Sequence, residues 1–152
     1  MREYNKIIFV ARTGTCRSPM AAGILSEMAL KHPVEVVSRG LVVLFPEPLN
    51  QKAEAVLISN GITLENYMSS QLEEEDFAKD TLIIVMGSSD RQKILDLFEH
   101  AILENVQVLT ELVGDELEIM DPYGGSLQAY GLCYETLSKS IKKLAAMLNT
   151  AL

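Results

Sequence analysis

The chain reads as a three-layer α/β sandwich, a four-stranded parallel sheet with helices on both faces. Three observations carry that expectation. Four short runs rich in Ile and Val are continuous rather than alternating, as in strands covered on both faces. Stretches with helical spacing separate them. Strands that alternate with helices imply βαβ units with right-handed crossovers. The 152 residues fit a single domain spanning 1–152 and can bury a sizeable core. No internal repeat, linker or low-complexity segment interrupts the pattern.

The expected strands are Ile7–Val10, Val34–Val37, Thr81–Met86 and Val106–Leu109. The first helix is expected over Pro19–Leu30, with Ser18 as N-cap and Pro19 at the first helical position. A second spans Leu49–Ser59, stopped by Asn60-Gly61. A shorter one is expected at Leu72–Ala78, and a fourth over Ser88–His100. The last and longest is Ser126–Leu148, where apolar residues recur every three to four positions. The run Glu73-Glu74-Glu75-Asp76 reads as a solvated first helical turn, favourable near the positive dipole end.

Charge narrows the function. Lys and Arg number 13 against 21 Asp and Glu, a net −8 with a pI near 4.7. A general nucleic-acid binder needs a basic face, and an anionic membrane repels such a chain. Neither partner is expected. Apolar residues at 48% and charged residues at 22% are ordinary for a globular protein and too apolar for disorder. No apolar run approaches the ~20 residues that span a bilayer. The N-terminal MREYNKIIFV lacks a signal-peptide core and cleavage site, so export is not expected. Cys16 and Cys133 do not make a disulfide framework, and a reducing cytoplasm is the simplest setting. An acidic protein that handles an anion must build its positive potential locally.

The informative segment is Val10-Ala11-Arg12-Thr13-Gly14-Thr15-Cys16-Arg17-Ser18-Pro19. It leaves a strand and opens a helix, and open α/β sheets bind ligands at the carboxyl ends of strands. Unpaired N–H groups and the dipole at a helix N-terminus attract anions, and successive N–H groups curled around one point form a nest. Arg17 could add a bidentate fork for two phosphate oxygens. The plainer alternative is an ordinary strand-to-helix turn with Arg17 as surface charge. The loop alone does not decide between them.

Cys-Arg-Ser-Pro-Met-Ala after the first strand, with Asp121-Pro122-Tyr123 near the C-terminus, resembles the low-molecular-weight protein tyrosine phosphatases. That family includes the bacterial arginine phosphatases and is related to thioredoxin-coupled arsenate reductases. Its loop runs Cys, any residue, Gly, Asn, any residue, Cys, Arg, Ser, Pro. Ser38-Arg39-Gly40, after Val37, stands at the family's Ser-Ala-Gly, with Ser38 in the loop-supporting place. Gly61-Ile62 and Ser70-Gln71-Leu72 fit the middle of the pattern. The resemblance covers essentially the whole chain. It implies the family's fold, phosphate or a phosphorylated protein or peptide as ligand, a phosphate loop over Arg12–Ser18, and no metal or cofactor. It also implies Asp121 as the general acid and Tyr123 as an aromatic wall beside the pocket.

One residue breaks the pattern. The family's cysteine thiolate stands six positions before the loop arginine, and six positions before Arg17 is Ala11. Sliding the alignment by one puts Arg12 there. Thr13 and Gly14 stand where the family has Gly and Asn. Thr15 matches a threonine that favours phosphoarginine in the arginine phosphatases. Tyr67 replaces a frequent loop-bracing histidine, and Ala22 a frequent Glu. Ala11 has no lone pair with which to form a phosphoenzyme, and loss of a nucleophile typically costs on the order of 10⁴ or more in rate. Binding does not need it, and the missing thiolate removes a charge that would repel a phosphate dianion. The expectation is a catalytically impaired phospho-ligand binder. The alternative is an active phosphomonoesterase carrying an engineered Cys→Ala change. The departures at Arg12, Thr13, Gly14, Tyr67 and Ala22 favour a natural origin.

The remaining candidates divide between chemistry and packing. A helix N-terminus and Arg17 would lower the pKa of Cys16, yet in the family this cysteine sits beside the nucleophile, and packing is the favoured reading. Asp121 is read as inherited acid placement over a plain turn residue. Tyr123 is placed at the wall and Tyr130 in the last helix. Tyr67 either braces the loop or lies at the surface. Arg12 and Arg39 could hold a second anionic group, though solvated surface charge is the usual fate of Arg. His32 and His100 carry no metal-ligand spacing and are read as surface residues. Nothing requires more than a monomer.

Overall fold

Residues 1–150 are described in a computed structural model; the last two residues of the expected domain lie outside the described residues. The β-branched runs form β1 (Lys6–Ala11), β2 (Glu35–Gly40), β3 (Thr81–Val85) and β4 (Val106–Val108). They make one parallel sheet in the order β2-β1-β3-β4, with Ala11 opposite Gly40 and Val10 opposite Val85. The helices are α1 (Arg17–Ser26), α2 (Gln51–Ser59), α3 (Ser88–Leu97), α4 (Leu109–Val113) and α5 (Leu127–Asn149).

Successive strand side chains point to opposite faces, so each strand feeds two cores. Ile7, Phe9 and Ala11 of β1 join Leu82 and Ile84 of β3, packed against Met20 and Ile24 of α1 and Leu137, Ile141 and Leu144 of α5. Ile8 and Val10 join Ile83, Val85, Val106 and Val108 on the other face, with Ile94 of α3 and Leu72. Both faces are covered, as the unbroken apolar runs required. The chain passes from β1 to β2, then returns to the other side of β1 to make β3. The carboxyl end of β1 is therefore the topological switch point, where α/β sheets bind ligands.

Several boundaries differ from the sequence expectation, each for a local reason. β2 runs on through Ser38, Arg39 and Gly40, because ladder bonds to β1 outweigh the polar side chains. α1 starts at Arg17 with Cys16 as N-cap, so Ser18 lies inside the helix and is not its cap. Pro19 is then the third helical residue, still among the positions whose N–H has no helical partner. α1 stops at Ser26 in a tightened last turn, where Glu27 and Met28 N–H donate to the Ile24 and Leu25 carbonyls, and the segment beyond is held by Asn149. Its Oδ1 accepts from Lys31 N–H and its Nδ2 donates to the Ala29 carbonyl.

Leu72–Ala78 is not a helix but a single 3₁₀ turn over Glu74–Asp76. The Glu73 and Asp76 side chains each take the other's main-chain N–H, a capping box that starts the turn, and the turn ends at Phe77, whose main chain leaves helical geometry and whose ring packs on Phe98. The acidic run is not merely solvated, since Glu74 accepts from the N–H groups of Glu99 and His100 and pairs with the His100 ring. Those bonds also end α3 before His100. α4 was not expected, since five residues are too few to display a period. Asn50 and Ser126, which the expected helices included, are instead the N-caps of α2 and α5, their side chains accepting from main-chain N–H groups.

Candidate phosphate-binding site

Arg12–Cys16 link the end of β1 to α1, and their main chain is turned with carbonyls outward. The Ala11 and Arg12 carbonyls accept from Leu41 and Val42 N–H at 3.0 Å, and Thr15 from Asn50 N–H at 2.9 Å. The Tyr67 hydroxyl donates to the Gly14 carbonyl at 2.5 Å, and Met20 N–H donates to Cys16 at 3.0 Å. Among the described residues, no main-chain N–H of Thr13–Ser18 donates to a backbone carbonyl. Carbonyls tied outward with N–H groups left unpaired is the electrostatic signature of an anion nest.

Two glycines make this path possible. Gly14 has φ +72°, and a Cβ there would lie 3.0 Å from Gly40 N. Asparagine, which the resembled family carries at this place, is one of the few other residues that tolerates that region. Gly14 takes that conformation without the close contact to Gly40 that a side chain would bring. A Cβ on Gly40 would lie 2.7 Å from the Thr13 carbonyl, so the loop closes directly onto the end of β2.

Side chains brace the loop from behind. Ser38 Oγ donates to Ser18 Oγ at 2.8 Å and lies 2.8 Å from the Tyr67 hydroxyl. Tyr67 is a brace and not a surface ring, and burial pushes its hydroxyl pKa upward. Thr13 and Thr15 hydroxyls pair at 2.8 Å.

Arg17 is 8% exposed, which excludes the surface-charge reading. Its Nη1 donates to the Ile119 carbonyl at 3.0 Å, and Nη2 lies 3.7 Å from Asp121 Oδ2. The acid loop and the anion loop are thus joined through one guanidinium. Asp121 Oδ1 accepts from Tyr123 N–H at 3.1 Å, and Lys52 Nζ holds the far end of the loop through the Gly125 carbonyl at 2.6 Å. Tyr123 follows Asp121 as an exposed ring, whereas Tyr130 is buried in α5, its hydroxyl accepting from Asn50 Nδ2 at 3.3 Å. Ile119, Asn50 and Lys52 were not anticipated. A contact made by the Ile119 carbonyl leaves no trace in residue type.

Ala11, which the resemblance sets in place of the family's cysteine nucleophile, is 3% exposed at the end of β1. Cys16 does not replace that nucleophile. Burial, reinforced by Cys133 and Asp121, pushes its thiol up to about 12, against a smaller lowering by Arg17. The expected acidification by the helix terminus is outweighed by desolvation. Its Sγ contacts Met20 Sδ at 3.9 Å, a packing role. Cys133 is likewise pushed up to about 11 by burial.

The three arginines differ. Arg39 Nε pairs with Asp76 at 3.4 Å and its Nη1 donates to the Ser38 carbonyl, so it locks β2 to the acidic turn. Arg12 is exposed, and among the described residues its side chain has no ion pair. His32 and His100 are exposed and face Glu3 and Glu74. Among the described residues, no three His, Cys, Asp or Glu side chains are grouped to hold a metal ion.

The family description "low molecular weight phosphotyrosine protein phosphatase" matches residues 6–152. The chain belongs to this family. A curated relative, the protein-arginine-phosphatase of Geobacillus stearothermophilus, is 32% identical over 145 residues, covering 95% of this chain and 97% of the relative. The low-molecular-weight protein-tyrosine-phosphatase PtpB of Staphylococcus aureus is 33% identical over 139 residues, covering 91% and 96%. The structure of YwlE arginine phosphatase from G. stearothermophilus superposes with TM-score 0.88 at 33% identity, covering 96% of this chain and 94% of that one. The four-stranded parallel sheet with its helices is this phosphatase fold.

Proposed function

We propose that this family member binds phosphorylated protein or peptide without turning it over. The observation that carries the reading is the conjunction at the end of β1. Among the described residues the N–H groups of Thr13–Ser18 donate to no backbone carbonyl, Arg17 is buried at the start of α1, and the strand they follow ends in the methyl of Ala11. A phosphate dianion gains charge-assisted bonds from the nest and from the remaining guanidinium donors. Hydrolysis in the family manner needs a lone pair on that residue to displace the leaving group, and Ala11 supplies none. Asp121 remains in place to donate to a leaving group, but a general acid alone contributes only a modest part of such a rate. Cys16, protonated and packed on Met20, offers no substitute.

The natural origin of Ala11 is supported by the coherence of its neighbourhood. Gly14 keeps the left-handed turn and Tyr67 braces the loop, so the departures read as one adapted loop. On this reading the protein acts as a single-domain monomer whose site lies within one chain. Its free, buried thiols suit a reducing cytoplasm, and its net −8 disfavours nucleic acid and anionic membrane.

Calorimetric titration with inorganic phosphate tests the binding claim. Saturable binding at millimolar concentration or below, lost in Arg17→Ala and partly kept in Arg17→Lys, is the expected result. Absence of binding by the unaltered protein contradicts it. Hydrolysis of p-nitrophenyl phosphate that persists in Cys16→Ser would contradict the loss of turnover.

A further inference from the structure

We infer that Arg12 reads a second acidic group, so that the ligand is a phosphorylated protein segment with a carboxylate side chain beside its phosphoryl group. This rests on the phospho-ligand reading above and narrows its ligand class.

Charge pairing around the mouth carries the inference. Arg17 faces Asp121 at 3.7 Å, and Arg39 faces Asp76 at 3.4 Å. Each of those arginines is offset by a carboxylate of the protein itself. Arg12 is exposed and has no such partner among the described residues. Its main chain is nevertheless fixed, because its carbonyl accepts from Val42 N–H at 3.0 Å and the next residue abuts Gly40. The exposed guanidinium is therefore carried on a fixed main chain at the start of the anion loop. In a chain of net −8, an unpaired cation on an anion loop adds attraction where the surrounding field opposes it.

The surface next to Arg12 fits polypeptide better than free phosphate. Val42, Leu44 and Phe45, in the segment tied to the anion loop, are exposed, Leu44 at 88%. Met120 and Tyr123, in the segment tied to Arg17, are exposed as well. Apolar side chains on two segments flanking one anion site match a peptide whose flanking residues lie along them. A planar guanidinium then meets the carboxylate of a neighbouring Asp or Glu in a fork geometry that an ammonium cannot reproduce.

The test uses calorimetry on the unaltered protein, Arg12→Gln and Arg12→Lys. The probes are inorganic phosphate and two peptide pairs, one carrying phosphotyrosine and one phosphoarginine, each pair differing only in Glu or Gln beside the phosphorylated residue. The readout is the ratio of Glu to Gln affinity, and Arg12→Lys, which keeps the charge, separates the guanidinium's fork from the positive field alone. The unaltered protein is expected to favour the Glu peptide about fivefold, the upper end for an exposed ion pair. Arg12→Gln is expected to bring the ratio to about one, and Arg12→Lys to an intermediate value. No Glu preference in the unaltered protein, or a preference that survives Arg12→Gln, overturns the inference while leaving phosphate binding intact. Failure of the unaltered protein to bind even inorganic phosphate overturns the phospho-ligand reading, and this inference with it.

Discussion

Ala11 and Tyr67 show how single residues divide the site between chemistry and architecture. On the proposed reading Ala11 lacks the attacking atom, while the loop's path is set by main-chain bonds and by Gly14 and Gly40. Ala11→Cys is therefore expected to raise phosphate-ester hydrolysis by on the order of 10⁴, measured with p-nitrophenyl phosphate. No gain would mean that Thr13 and Gly14 have already altered the nest. Tyr67 does the opposite, contributing no chemistry but holding the Gly14 carbonyl outward. Tyr67→Phe deletes that bond and the contact to Ser38, so denaturant unfolding should show a loss of about 1 kcal/mol. Weaker phosphate binding should accompany it, because a carbonyl no longer held outward can turn toward the anion.

At the scale of elements, β1 and β2 matter most, since their carboxyl ends carry the loop. Gly40→Ala places a methyl 2.7 Å from the Thr13 carbonyl, so the loop must move. A loss of about 1–3 kcal/mol in thermal or denaturant unfolding is expected, together with loss of phosphate binding. A Gly40→Ala protein with unchanged phosphate affinity would show that the loop is not seated as described.

The same elements show what the sequence could and could not convey. The apolar runs at Ile7–Val10 and Thr81–Met86 announced buried parallel strands because both faces bury side chains. The end of β2 was hidden because Ser38 and Arg39 are polar, and their partners are Tyr67 and Asp76, distant in sequence. Leu72–Ala78 carries helical spacing, but the chain leaves helical geometry at Phe77, whose ring packs on Phe98, distant in sequence. Arg17, Ser38 and Asp121 are expected from residue type in the family pattern, and the fold brings Arg17 beside Asp121 and Ser38 against Ser18. The Ile119 carbonyl is not, because every residue has one.

For the molecule as a whole, electrostatics sets the conditions under which the site works. The net −8 repels an acidic ligand at long range, whereas the nest acts at contact. The Debye length falls from about 30 Å at 0.01 M salt to about 8 Å at 0.15 M, so screening removes mainly the repulsion. The association rate of a phosphopeptide is therefore expected to rise over that range in stopped-flow measurements. A falling rate would assign the long-range field to the arginines instead.

Acid–base linkage adds a second global test. The His100 pKa is raised by its bond to Glu74, so its stabilisation is full below its ordinary value of 6.5 and fades as pH rises through the raised value. The Glu74 pKa is lowered by His100, so its stabilisation is full above its ordinary value of 4.5 and fades as pH falls. The stability difference between the protein and His100→Ala should therefore be greatest between pH 4.5 and 6.5 and shrink above it. A difference that does not vary with pH would show that the pair contributes nothing through its charge.

The central claim, binding without turnover, meets its most direct test in a single ³¹P NMR sample of the unaltered protein with a phosphorylated peptide in severalfold excess. The expected spectrum shows a peptide resonance shifted or broadened by the protein, and no inorganic phosphate accumulating over hours beyond a protein-free control. Growth of the inorganic phosphate resonance past one equivalent of protein would contradict the account, because it would require a nucleophile that Ala11 does not provide.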